Sequence, residues 1–359
     1  MSEALLRPAV NQLRDYLPGK NPPRPGIIKL ASNENPFGPS PQALAAIAQA
    51  TKSLQMYPDQ KSFLLCEALA KELSLATDKI IIGNGSDEIM QLASATFLKP
   101  GEEVVIPEKS FSVYEFVTKL FDGQPVFAPL KDYSVDLSAV ARAITPKTKM
   151  VFLANPNNPT GTAFTAAELT AFMDRVPENV LVILDEAYGD FAEAKNFPDS
   201  LQYIRAGKNV LVLRTFSKLY GLAGLRVGYG LAQPELVKYM YRTKLPFNVN
   251  RLAQAGAIGA LADEAFKQKT LANNLEGKEL LYTGLNRLGL SFKNSEANFV
   301  FIKLPMLADE IFITLFQRGI IIRPLTSFGF PDCIRVSIGT KEQNEAFLTA
   351  LAEALKPAL

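Results

Sequence analysis

NVLVLRTFSKLYGLAGLRVGYG (209–230) decides the fold. Its first six residues are an almost continuous apolar run, as expected of a strand buried on both faces. A polar turn follows, and a second apolar run, VGYGLA (227–232), completes the pattern. Working outward, the same signature recurs at KIII (79–82), EVVI (103–106), PVFA (125–128), KMVFLA (149–154) and VLVIL (180–184). Amphipathic helical stretches separate these runs, which indicates an α/β fold with a mostly parallel seven-stranded sheet flanked by helices. Beyond about residue 245 the pattern changes. Long helices are expected over roughly 250–288, then strands at FVFIKL (299–304), GIIIRP (319–324) and CIRVSI (333–338), then a last helix, together a smaller α+β domain. LPGKNPPRPG (17–26) is too rich in proline for regular helix and reads as an extended arm. A chain of 359 residues accommodates about two domains. The expected division is 1–35 as an N-terminal arm and part of the small domain, 36–245 as the large domain, and 246–359 as linking helices and the C-terminal small domain.

Composition removes several function classes. The 38 basic and 36 acidic residues are dispersed, with no basic run suited to nucleic acid or a charged membrane surface. No apolar stretch reaches the roughly 20 residues of a bilayer crossing. The opening MSEALLRPAV has an acidic residue and too short an apolar run for a secretion signal, so a cytoplasmic location is expected. Cys66 and Cys333 are far apart and read as packing residues; no metal site is expected. There is no histidine at all, which excludes serine–histidine triads, histidine-ligated zinc and histidine proton shuttles. Acid–base work then falls to lysine, tyrosine, carboxylates or a cofactor.

In an open parallel sheet the ligand sits beyond the carboxyl ends of the strands. After KIII comes GNGSDE, with Gly85, Ser86 and Asp87 entering a helix whose free N–H groups suit a phosphate. An ordinary strand-to-helix turn uses the same residues. After KMVFLA comes NPNNPTG (155–161), a turn that presents side-chain amides, Asn158 among them. VLVIL ends on Asp185, with Tyr188 three residues on. A carboxylate at that depth needs a cationic partner, unless it serves as a helix cap. The opening stretch supplies Thr215, Ser217, Lys218 and Arg226. A lysine near a strand end is commonly a solvated surface charge. Here its neighbours meet one shared requirement: an amine for an aldehyde, an anion for a pyridinium nitrogen, donors for a phenolic oxygen and a cradle for a phosphate. Pyridoxal phosphate imposes those four needs.

SNENPFGPS (32–40), YPD (57–59), GNGSDE (83–88), NPNNPTG, DEAY (185–188), TFSKLYGLAGLRVGY (215–229) and IRVSIGT (334–340) occur in an order and spacing that carry a family resemblance across almost the whole chain. The sequence resembles fold-type I pyridoxal-phosphate aminotransferases, in particular the histidinol-phosphate aminotransferase branch. The resemblance implies that Lys218 holds the cofactor as a Schiff base and serves as general base, that Asp185 pairs with the ring nitrogen, and that Asn158 and Tyr188 bind the phenolic oxygen. It implies a phosphate site of Gly85, Ser86, the Asp87 N–H, Thr215, Ser217 and Arg226. It also implies a homodimer in which Tyr57 reaches the neighbouring subunit's cofactor, with Tyr16, Asn35, Arg323 and Arg335 toward substrate. Where many relatives place a tyrosine against the ring, PEKSFSVY puts Phe111, which keeps the stacking and loses a hydroxyl.

The implied reaction joins histidinol phosphate and 2-oxoglutarate to imidazole acetol phosphate and glutamate, small-molecule partners whose anionic groups suit Arg323 and Arg335. The alternative for Arg323 is a strand-edge surface charge. An aromatic amino acid aminotransferase is the alternative on the same architecture, followed by a decarboxylase of a phosphorylated amino acid. A cofactor-sensing regulator would need an attached DNA-binding module, and the aminotransferase-like pattern here begins within the first 35 residues.

Overall fold

The computed structural model describes residues 7–13 and 26–356, so Tyr16 and the proline-rich stretch up to residue 25 lie outside the described residues. All seven apolar runs form one sheet, in the spatial order Ile80–Gly83, Gly228–Leu231, Val210–Thr215, Leu181–Asp185, Thr148–Ala154, Glu103–Pro107 and Gln124–Ala128. Gly228–Leu231 runs antiparallel to both its neighbours, and the other pairings are parallel. The connection that returns from Val210–Thr215 holds only the 3-10 turn Ala223–Leu225. Without a crossover helix, the strand it leads to turns back beside its predecessor.

Alternation along each strand divides the core between the two faces of the sheet. Ile80, Ile82, Val151, Leu153, Val182, Leu184 and Val212 pack on one side. Ile81, Met150, Phe152, Ile183, Leu211 and Leu213 pack on the other. Burying such side chains stabilises by about 1.5–3 kcal/mol each, so both faces must be covered by helices. On one of them Pro41–Ala50, capped by Ser40 Oγ accepting from the Ala43 N–H at 3.1 Å, lies against Arg251–Ala262. Their approach is close: a Cβ on Gly259 would stand 2.6 Å from the Gln42 carbonyl oxygen.

The helical stretch expected near 250–288 is two helices, Arg251–Ala262 and Glu264–Arg287. Asp263 separates them and caps the second by accepting from the Phe266 N–H at 3.3 Å. A second sheet then forms in the order Ser291–Phe292, Phe299–Lys303, Cys333–Ser337, Arg323–Pro324, with a core of its own around Val300, Ile302, Ile334, Val336 and Phe347. GIIIRP is not one strand. Ile320–Ile321 pairs in parallel with Ile28–Lys29, whereas Arg323–Pro324 forms an edge of the four-stranded sheet. Proline cannot donate to a ladder, and an edge is where it is tolerated. Among the described residues no helix is long and apolar enough to cross a membrane.

Candidate active site

Strand register brings the chemistry to one edge of the large sheet. Ala154 lies beside Asp185 and Asp185 beside Leu213, so the residues that follow Thr148–Ala154, Leu181–Asp185 and Val210–Thr215 emerge together. A cavity of about 200 Å³ opens there, and its walls include Ser86, Asp87, Phe111, Asn158, Asp185, Tyr188, Thr215, Ser217, Lys218, Arg226, Arg323 and Arg335. The sequence motifs therefore converge on one place from both sheets.

Three expected residues stand elsewhere. Gly85 is behind the wall, at the N-cap of helix Ser86–Phe97 with φ +83°, and a Cβ there would meet the Arg226 guanidinium at 2.6 Å. Asn35 donates to the Leu219 carbonyl at 2.8 Å and to Thr270 Oγ1 at 3.2 Å and does not line the cavity. Its neighbour Asn33 does. Tyr57 is 79% exposed and stacks on Phe247, with ring centroids 4.7 Å apart.

Asp185 is buried, and among the described residues neither lysine nor arginine forms an ion pair with it. Its Oδ2 accepts from the Tyr114 hydroxyl at 2.7 Å and its Oδ1 from the Ala187 N–H at 3.1 Å. Burial pushes its pKa up to about 6, against the pull of those two donors. A carboxylate held this way lacks a cationic partner, which a protonated ring nitrogen would supply. Tyr114 is fully buried and stacks on Phe152 with centroids 4.8 Å apart; Phe111 meets its edge at the cavity wall. Sequence reading passed over Tyr114, which looks like any apolar-face residue of helix Val113–Leu120.

Lys218 Nζ donates to the Ser32 carbonyl at 3.2 Å and lies 5.5 Å from the centre of the Tyr188 ring. Around the helix start, Thr215 Oγ1 donates to Ser217 Oγ at 3.0 Å, and Arg226 reaches Ser217 Oγ at 3.5 Å and Asp87 Oδ2 at 3.4 Å. Gly228 keeps this corner narrow, since a Cβ there would stand 2.6 Å from the Ser86 nitrogen. Backbone N–H groups, hydroxyls and a guanidinium are thus gathered at one helix N-terminus, a donor set that fits a phosphate.

Across the cavity Arg335 donates to Asn158 Oδ1 at 2.5 Å and to the Ala31 carbonyl at 2.7 Å. Arg323 is directly opposite Arg335 on the neighbouring strand, and both side chains line the cavity.

A protein-family model described as aminotransferase class I and II matches residues 25–351. The chain belongs to the class I and II aminotransferases. Among the relatives of this aminotransferase is the histidinol-phosphate aminotransferase of Moorella thermoacetica, 46% identical over 97% of this chain and 92% of that protein. Histidinol-phosphate aminotransferase 2 of Pseudomonas fluorescens is 44% identical over 98% of each. The crystal structure of histidinol-phosphate aminotransferase from Sinorhizobium meliloti in complex with pyridoxal-5'-phosphate superposes with a TM-score of 0.90 at 29% identity, covering 98% of this chain and 97% of that one. Lys218, Asp185 and the helix start at Ser86 of this aminotransferase thus sit in a fold that holds that cofactor in a relative.

Proposed function

We propose that this enzyme transfers an amino group from histidinol phosphate to 2-oxoglutarate, giving imidazole acetol phosphate and glutamate, with pyridoxal phosphate as cofactor. The pairing of Arg323 with Arg335 carries the substrate assignment. Two guanidinium side chains on one cavity wall give it fork-shaped donors suited to phosphate and carboxylate oxygens. A phosphate monoester and a dicarboxylate both satisfy that wall in turn. The names of the relatives support the same reading.

When bound, the cofactor supplies an aldehyde for the substrate amine and a ring that takes up the electron pair left when the α-proton departs. Lys218 is the residue placed to hold that aldehyde, and its amine, once displaced by substrate, is the base that takes the α-proton and returns it. Asp185 keeps a proton on the ring nitrogen, and Tyr114 helps to keep Asp185 ionised. The amide oxygen of Asn158 is occupied by Arg335, which leaves its N–H groups for the phenolic oxygen beside the Tyr188 hydroxyl. Ser86, the Asp87 N–H, Ser217 and Arg226 hold the phosphate, with Thr215 orienting Ser217. Phe111 offers its ring for stacking. With no histidine in the chain, Lys218 serves as both anchor and proton carrier.

The functional unit in this reading is a cytoplasmic homodimer. Tyr57, Leu54, Met56, Phe63, Leu64 and Leu245 are all more than half exposed, a large apolar surface to leave in water. A second copy covers it and brings Tyr57 toward the partner's cofactor. The division into a large domain at 36–245 and a small domain from 246 belongs to the same reading.

A half-reaction panel tests the assignment. The cofactor-loaded enzyme is mixed separately with histidinol phosphate, phenylalanine, glutamate and phosphothreonine, and the loss of its visible absorbance and the products are followed. Rapid conversion by histidinol phosphate and glutamate is expected. Conversion by phenylalanine and not by histidinol phosphate contradicts the assignment, and release of carbon dioxide from phosphothreonine would make the enzyme a decarboxylase.

A further inference from the structure

We infer that Asn33 is a positioning residue that fixes the direction of the Tyr188 hydroxyl, so that its proton points into the cavity toward the cofactor's phenolic oxygen. The inference rests on the cofactor role proposed above for Tyr188. Asn33 belongs to SNENPFGPS, is 1% exposed, and sits in the left-handed region at φ +56°, a conformation that asparagine tolerates better than most residues.

The hydrogen-bond network around it takes the following arrangement in the structure. Ser337 Oγ accepts the Asn33 backbone N–H at 2.8 Å, so the Ser337 hydrogen is free to go to Asn33 Oδ1, 3.1 Å away. In this orientation the Asn33 amide oxygen is taken up by Ser337. The amide nitrogen then faces Tyr188 and donates to its hydroxyl oxygen at 2.9 Å. Tyr188 receives a hydrogen there and cannot direct its own along the same line. Its proton is left for an acceptor on the cavity side, where Tyr188 is part of the wall. The backbone is held as well, because the Asn33 carbonyl accepts from Asn298 Nδ2 at 3.0 Å. Ser337 lies two residues beyond Arg335 on one strand, so this network also ties the arginine's strand to the tyrosine that follows strand Leu181–Asp185 of the large sheet.

A hydrogen bond donated to the phenolic oxygen favours the deprotonated, more negative form of the loaded cofactor, so losing it raises the pH midpoint of the visible absorbance change. Asn33→Gly keeps the backbone conformation and both backbone contacts, introduces no charge and removes only the amide. Its expected effect is a midpoint raised by about 0.5–1 pH unit. Tyr188→Phe is expected to raise the midpoint by more, and adding Asn33→Gly to Tyr188→Phe to move it no further. An unchanged midpoint in Asn33→Gly, with Tyr188→Phe shifted, overturns the inference and leaves the role of Tyr188 standing. The same Asn33→Gly shift in the Tyr188→Phe background also overturns it, because Asn33 then acts by another route. An unshifted Tyr188→Phe refutes the tyrosine's role and the inference together. If Asn33→Gly does not fold, Ser337→Ala takes its place: losing the hydroxyl that orients the amide is expected to shift the midpoint in the same direction, and no shift overturns the inference.

Discussion

Asp185 and Tyr114 show how two side chains divide a conflict. Burial favours the neutral carboxyl, the proposed pairing with the cofactor's ring nitrogen needs the carboxylate, and the Tyr114 hydroxyl at 2.7 Å shifts the balance toward the charge. With the Asp185 pKa raised to about 6, the cofactor-free protein must lose a proton from this group before it can pair with a protonated ring nitrogen. Affinity for the cofactor is therefore expected to be present above about pH 6 and to be lost as pH falls through that value. Tyr114→Phe removes a donor to the charged form, so the acid limb of the affinity profile should move up by about one pH unit. Titration of the cofactor-free protein with pyridoxal phosphate across pH 5–8 checks this, and a limb that does not move contradicts the role of Tyr114.

Lys218 and Asp185 were legible in the sequence because Asp185 closes an apolar strand and Lys218 lies three residues beyond one. Tyr114 and Asn33 were not. Tyr114 meets its partner across 71 residues and Asn33 across 155, and no local spacing encodes such contacts. Asn35 attracted attention in the motif where Asn33 turned out to line the cavity, because two asparagines one residue apart cannot be told apart until the chain's path is known.

At the scale of elements, the seven strands of the large sheet could be read to within a residue or two, since continuous apolar runs have no other use at that length. GIIIRP misled for the same reason. Six residues of strand-like character serve two sheets, and only Pro324 marks the edge. The strand pair that results is where function depends most on register. Arg335 is buried and anchored by Asn158 and the Ala31 carbonyl, which fix the orientation of its guanidinium at the cavity wall. Arg335→Ala should raise the Michaelis constants for histidinol phosphate and for glutamate by about 10–100-fold, the loss expected for charge-assisted bonds. Steady-state kinetics with each substrate decides; unchanged constants for both contradict its place at the substrate.

At the scale of the whole molecule, the apolar surface around Tyr57 has no local explanation. Exposure of Leu64 at 67% and Leu245 at 71% is a collective property of the folded surface, which composition and periodicity do not reveal. Leu64→Glu places a charge on that surface. Sedimentation should then show a monomer and cofactor titration a weaker affinity, because the neighbouring Tyr57 is withdrawn. A dimer of unaltered stability contradicts the proposed interface.

In the proposed site Lys218, three residues beyond strand Val210–Thr215, carries the cofactor. Reduction of the cofactor-loaded enzyme with borohydride, followed by peptide mass mapping, measures this directly. A phosphopyridoxyl adduct is expected on the peptide containing Lys218, and none on that peptide in Lys218→Ala. An adduct on a different lysine of the native enzyme, or full transamination by Lys218→Ala, would contradict it.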